Sequence, residues 1–236
     1  MADNDVLVSQ HFFALRLNKD DVVAVLRALA NASVVTDPAK LQIVNNGGPE
    51  DIQSLVNNLG EVSNLGNASR SKTATKAMLS SGVLLISKPS DLHVPPWQMV
   101  SAMLGGEPLR AATWWANPEI PTTTATTPVG CWDPGLGQAG AVQIATTGTW
   151  EGKTLGFRGA GEPDGNHAKI GVSSDEAALG GPHYYAIFGD LNQQGTLSGP
   201  RCDSSQNGRG GLFFVVDDAQ LFNSVRDLMQ GETAPQ

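Results

Sequence analysis

The chain has 236 residues, 40% of them hydrophobic and 16% charged, which is enough to bury one large core or two small ones and excludes a disordered chain. Its formal charge of −8 argues against a partner gripped by bulk positive charge, because nonspecific nucleic-acid binding comes from Lys and Arg releasing counterions. No uninterrupted apolar run approaches the roughly 18 residues that cross a bilayer, and residues 1–5 are acidic rather than basic, so neither a membrane span nor a signal peptide is expected.

In chain order, residues 18–32 open with a capping Asn and an acidic first turn, then place Val22, Val23, Leu26 and Leu29 at helical spacing. Residues 41–44 read as a short strand. Pro49 with Glu50 and Asp51 opens a second helix, which Gly60 stops. A buried strand is predicted at 82–86, a helix over 96–104 before Gly105 and Gly106, and a strand at 109–115. Residues 118–128 hold five Thr and three Pro, which predicts a surface loop or linker. Further strands are predicted at 141–144, 167–172, 184–190 and 212–216, followed by an amphipathic helix over 218–229 capped by Asp217. The Gly-rich connections around 151–166 and 193–211 are too irregular for core elements and read as site-forming loops. The organisation expected is an α/β portion over 1–117, a Thr/Pro-rich loop at 118–128, and a portion over 129–236 packed on the same sheet.

The two cysteines, Cys131 and Cys202, permit one disulfide without requiring it. Asn31-Ala32-Ser33 and Asn67-Ala68-Ser69 match the glycosylation acceptor pattern and are treated as chance matches. His11, His93, His167 and His183 are far apart and the cysteines lack finger spacing, so no metal site and no cofactor are expected. Gly-x-Ser-x-Gly and Gly-x-x-x-x-Gly-Lys are both absent, which removes the sequence support for a serine-hydrolase elbow or a triphosphate loop.

What remains is His167-Ala168-Lys169, followed by Gly189-Asp190-Leu191-Asn192. If both segments are strands, the period of two puts His167 and Lys169 on one face and Asp190 and Asn192 on one face of a neighbour. Ala168, Ile170 and Val172 interleave with the first pair and are apolar, as a core-facing side should be. Imidazole can attack phosphorus or move a proton, while ammonium and carboxamide groups bind the non-bridging oxygens. The net charge weakens as an objection in acid, where four protonated His bring it to about −4. Lys153, Arg158, Lys169, Arg201 and Arg209 also share the C-terminal stretch and could form a positive groove.

With Gln193, Gln194 and the later Arg209-Gly210-Gly211, these motifs resemble the second half of deoxyribonuclease II, a family of the phospholipase D-like superfamily. The match in motif order and spacing covers residues 166–230, with weaker similarity upstream near 19–31, 82–87 and 97–115. The resemblance implies a phospholipase D-like mixed sheet flanked by helices, this chain supplying the second catalytic half. It implies an acid deoxyribonuclease, a metal-independent endonuclease that leaves 3′-phosphate ends, in a secreted, periplasmic or lysosomal setting. His167 would be nucleophile or general acid, Lys169 would hold the phosphate with support from Asn192, Asp190 would orient a neighbouring side chain, and Arg209 would bind backbone phosphate.

The family expects another H-x-K upstream, and this chain does not have one. Neither His11, followed by Phe-Phe, nor His93, followed by Val-Pro, supplies it. The expected partners are therefore the DNA substrate and either an upstream half from a cleaved precursor or a second copy of the chain. The rival readings are a phospholipase D-like phosphodiesterase acting on lipid or RNA, and a non-catalytic phosphate or nucleic-acid binding module. Trp97, Trp114 and Trp115 could stack on bases but fit core positions better, and His183 fits an exposed loop.

Overall fold

The first helix is set by its own N-terminus. Asn18 accepts a hydrogen bond from the Asp21 amide at 2.9 Å while the Asp21 carboxylate accepts from the Asn18 amide at 3.2 Å, a reciprocal capping box that starts α1 (Lys19–Asn31). The same carboxylate takes the Ser80 amide at 2.7 Å and its hydroxyl at 2.5 Å, tying α1 to the first strand pair. The computed structural model describes residues 11–34, 48–59, 71–159, 165–174 and 183–236. The strand expected at 41–44 lies outside them.

After α2 (Glu50–Asn58) come β1 (Thr75–Met78), β2 (Leu84–Lys88), α3 (Pro96–Met103), β3 (Leu109–Ala112) and β4 (Val142–Ile144). A separate hairpin, β5 (Thr147–Trp150) with β6 (Lys153–Gly156), precedes β7 (Ile170–Ser173), β8 (Tyr185–Gly189), β9 (Gly211–Asp217) and α4 (Ala219–Leu228). Among the described residues the result is a mixed α/β fold, a mostly antiparallel sheet with four α-helices. Among the described residues the main sheet has seven strands in the order β1-β2-β9-β8-β7-β3-β4, and only β3 with β4 is parallel.

Alternation along the strands divides the core between two faces. Ile187, Phe213 and Val215 face the side covered by Trp97, Met99 and Val100 of α3. Ala168, Ile170, Val172 and Ala186 face the other side, under Phe222 and Val225 of α4. On that second side Ala28 of α1 packs with Leu85 and Leu212. The alternating strand directions gather the N-terminal ends of β1, β7 and β9 with the C-terminal ends of β2, β3 and β8. Lys88, Thr113, Lys169, Asp190 and Gly211 therefore all sit at one end of the sheet.

Several sequence expectations are corrected. Residues 118–128 are not a surface loop throughout: Ile120, Thr122 and Thr123 are buried, and Thr123 exchanges amide hydrogen bonds with Val142 at 2.9 and 3.1 Å. Thr is a strand former, and repeated Thr here lines the sheet edge instead of marking a linker. The connection over 151–166 contains strand β6, an exposed hairpin arm whose burial pattern carries little apolar signal. The strand expected at 109–115 stops at Ala112, and Trp115 forms only an isolated bridge with Arg158. The last helix is capped by Asp218, whose side chain accepts from the Leu221 amide at 2.8 Å, while Asp217 ends β9. Among the described residues no helix is long and apolar enough to cross a membrane.

Cys131 and Cys202 form a disulfide across a separation of 71 residues, joining the end of the Thr-rich segment to the Gly-rich loop after β8. Cross-linking chain positions this far apart restricts the unfolded state, worth about 4 kcal/mol in the loop-entropy relation. Replacing both cysteines by Ser is expected to lower the unfolding free energy by about that amount. The measurement is the urea midpoint of each protein under non-reducing conditions, and an unchanged midpoint would contradict the estimate.

Candidate functional site

Strands β7 and β8 pair in the register Ile170 with Phe188, Gly171 with Ile187 and Val172 with Ala186. The ladder continues one step past the end of β7, where the Gly189 amide donates to the Lys169 carbonyl at 2.9 Å. This places the tail of His167-Ala168-Lys169 opposite the start of Gly189-Asp190. The strand expected at 167–172 begins only at Ile170, so His167 and Lys169 lie in its extended lead-in. Asn166 shapes that lead-in: its side-chain oxygen accepts from the Ala168 amide at 3.1 Å, and its amide nitrogen donates to the Ala168 carbonyl at 3.4 Å.

Asp190 is pinned from the other side. Its backbone amide donates to the Leu212 carbonyl at 3.3 Å, and Oδ1 accepts from the Leu212 amide at 2.9 Å. A Cβ on Gly211 would come within 2.2 Å of that Oδ1, so only glycine leaves room for the carboxylate here. Leu191 is buried in the core, and its carbonyl accepts from Trp97 Nε1 at 3.0 Å, which fixes the turn between Asp190 and Asn192.

Lys169 is buried, and its Nζ donates to the His167 carbonyl at 2.5 Å. Burial pushes its ammonium down to about 8, against the opposing pull of the Asp190 charge. Asp190 reaches the surface, yet protein crowds its carboxyl group. That crowding pushes it up to about 6, while the Leu212 hydrogen bond and the Lys169 charge hold it back. The two groups thus sense one another at adjacent strand ends. His167 is half-buried, with its ring edge-on to Trp114 at 4.9 Å between centroids.

Asn192 lies close by along the chain. Its amide donates to Gln206 Oε1 at 3.3 Å, and its own Oδ1 is buried without a hydrogen-bond partner among the described residues. Next to it, fully buried Gln193 donates to Gln98, which donates to Thr123, a chain of amides that anchors this loop to the core. Arg209 has an exposed side chain, and its carbonyl is held by Lys88 Nζ at 2.8 Å. Lys88 also donates to the carbonyls of Asn207 at 2.7 Å and Leu92 at 2.6 Å, and burial pushes it down to about 7.

The structure also brings in a residue that sequence reasoning set aside. Residues 11–17 run extended across β8 and β9 with His11, Phe13, Leu15 and Leu17 turned inward and Phe12, Ala14 and Arg16 outward. His11 Nδ1 accepts from the Lys169 amide at 3.4 Å. Burial and then the Lys169 charge push its imidazole below the ordinary range. The period-two pattern of His-Phe-Phe-Ala-Leu-Arg-Leu signals an extended segment, but nothing local says which strand it meets. His183 lies at the opposite end of β8, largely exposed and stacked on Tyr185. Trp97 and Trp115 are buried core residues, with Trp97 wedged over Gly171. Among the described residues no cluster of three or more His, Cys, Asp or Glu is placed to hold a metal ion.

Comparison with protein-family models, with curated proteins and with solved structures found no match.

The lowered Lys169 affinity for protons has a stability consequence with a definite sign. Between about pH 8 and 10.5 the unfolded lysine carries a proton that the folded one has lost, so stability should rise with pH across that window. Lys169→Met should remove this rise, and urea midpoints measured from pH 7.5 to 10.5 on both proteins check it.

Proposed function

We propose that this chain is a metal-independent phosphodiesterase of the deoxyribonuclease II kind, built on a phospholipase D-like sheet and acting on DNA in acid to leave 3′-phosphate ends. The observation that carries the reading is the meeting of His167-Ala168-Lys169 with Asp190 at neighbouring strand ends. The Lys169 ammonium and the Asp190 carboxyl sense one another there, with His167 two residues before Lys169 on the same segment, and imidazole, ammonium and carboxyl are the groups that phosphoryl transfer without a metal can use. The motif resemblance supports the same class.

In this reading His167 acts on phosphorus or on the proton of the leaving oxygen, and Lys169 binds the non-bridging oxygens. Of its three donors, one is spent on the His167 carbonyl. Asn192 supports the phosphate, as the motif resemblance implies, and only its side-chain Nδ2 can donate to a phosphate oxygen, since its buried Oδ1 is an acceptor. Arg209 projects from the Gly-rich loop toward solvent, where a flanking backbone phosphate would pass. The chain serves as the second half of a larger site, completed by an upstream half or by a second copy of itself.

The acid preference follows from the charges. Below about pH 6 Asp190 gains a proton and no longer offsets Lys169, so the site becomes more attractive to a phosphate despite the overall charge of −8. DNA affinity is expected to strengthen as pH falls through about 6, and filter binding of a labelled duplex at constant ionic strength from pH 4.5 to 8 measures it. Plasmid nicking at pH 5 in a chelator, beside His167→Ala, tests the chemistry. The substitution should slow nicking by about 100-fold or more. Chelator-resistant nicking that survives it would sink the role given to His167.

A further inference from the structure

We infer that the cavity between the Thr-rich segment and the turn that carries Trp132 is a binding site for a small neutral saccharide. It is independent of the phosphodiesterase reading. The cavity encloses about 350 Å³ at the N-terminal end of β4, and because β4 runs parallel to β3 that end is the one opposite Lys169 and Asp190. Its volume falls within the range of small-molecule sites.

The chemistry of the walls narrows the ligand. Among the described residues no Lys, Arg, His, Asp or Glu lines the cavity, so a charged ligand finds no counter-ion there. What the walls offer instead is hydroxyl and carboxamide groups on one side and an indole on the other.

The buried polar groups have protons left over. Thr123 is 2% exposed, and its Oγ1 accepts from Gln98 Nε2 at 3.2 Å and from the Val142 amide at 3.3 Å. A hydroxyl has two lone pairs and one proton, so both lone pairs are taken. The proton has no acceptor among the described residues. Gln98 is fully buried as well: its Oε1 accepts from Gln193 at 2.9 Å, and of its two Nε2 protons only one goes to Thr123. Two donors at the back of the cavity are thus left for a ligand oxygen.

The rim supplies the complementary groups. Gln138 is exposed and donates its amide to the Ala125 carbonyl at 2.9 Å, which leaves its Oε1 as an acceptor. The Thr124 hydroxyl lies 3.1 Å from those of Thr126 and Thr127, and each can turn to donate or accept. Trp132 is fixed from two sides, by the disulfide of the preceding Cys131 and by Nε1 donating to the Gly137 carbonyl at 2.9 Å. With that proton spent, the indole has only apolar ring surface to give a ligand.

A pyranose fits this set. Its carbon-bound hydrogens form an apolar face for the indole, its hydroxyls both donate and accept, and it carries no charge. A hydrocarbon ligand would leave the Thr123 and Gln98 donors unpaired, and a phosphate or carboxylate would find no cation.

The test is ligand-observed saturation-transfer NMR on the full chain with D-glucose, D-galactose, D-mannose and N-acetyl-D-glucosamine, each also as its methyl pyranoside. At least one should bind with a Kd below about 10 mM, and binding of none would overturn the inference. Binding of both forms points to the terminal unit of a glycan, and binding of the free sugar alone to a free saccharide. The 6-phosphate of the bound sugar should bind more weakly; equal or tighter binding overturns the neutral class. Thr123→Val should weaken binding about tenfold, with Thr123→Ser restoring most of it. Gln138→Ala alters an exposed side chain, leaves the buried bonds intact and should weaken binding about threefold or more. Urea midpoints separate lost binding from lost folding in Thr123→Val. Unchanged affinity in Gln138→Ala and in folded Thr123→Val would place the sugar elsewhere and overturn the site.

Discussion

The arrangement depends on the antiparallel ladder of β7, β8 and β9 running one residue past its regular ends. The Gly189 amide on the Lys169 carbonyl and the Leu212 amide on Asp190 Oδ1 fix a basic segment and an acidic one across three neighbouring strands. Backbone hydrogen bonds set these positions, so the side chains inherit the precision of the sheet. Gly189 and Gly211 keep the ladder close: a side chain on Gly189 would strike Phe213, and one on Gly211 would strike the Asp190 carboxylate.

Two buried lysines show how this end of the sheet handles charge without a buried carboxylate at contact. Lys88 is surrounded by carbonyl oxygens from Leu92, Asn207 and Arg209, which hold its ammonium by dipoles while pinning the Gly-rich loop. Lys169 donates one N–H to a carbonyl and feels Asp190 across the site, with no ion pair at Lys169 among the described residues. Both ammonium groups are short of water, and both are easier to deprotonate for it. The first is closed in by protein and serves the loop. In the proposed reading, an incoming phosphate supplies the missing negative charge at the second.

The strands and the two motif segments were legible because their signals are local. Ala168, Ile170 and Val172 alternate with polar neighbours, and they do face the core under α4. The capping Asn18 and the run after Asp218 likewise announce α1 and α4 within a few residues. The hairpin β5–β6 was not legible, since its exposed positions have no need of apolar side chains. Nor was the burial of Ile120, Thr122 and Thr123, which depends on Val142, Gln193 and Pro235 as hydrogen-bond partners. The Cys131–Cys202 bond belongs to the same class, because two cysteines 71 residues apart carry no signal of proximity.

The amino-acid sequence by itself determined which chemical groups this protein could bring to a site: one His-x-Lys, one Gly-Asp-Leu-Asn, an acidic overall charge and a Gly-rich loop with an arginine. Periodicity within ten residues was enough to say which of them share a strand. Only the tertiary structure decided which groups meet. His11 reaches the Lys169 amide across 158 residues, Lys88 reaches Arg209 across 121, and Asp190 acquires its raised affinity for protons from protein that no neighbouring residue in the chain supplies. Contacts of that range are set by strand order and by the packing of the two sheet faces, and both are properties of the folded chain as a whole.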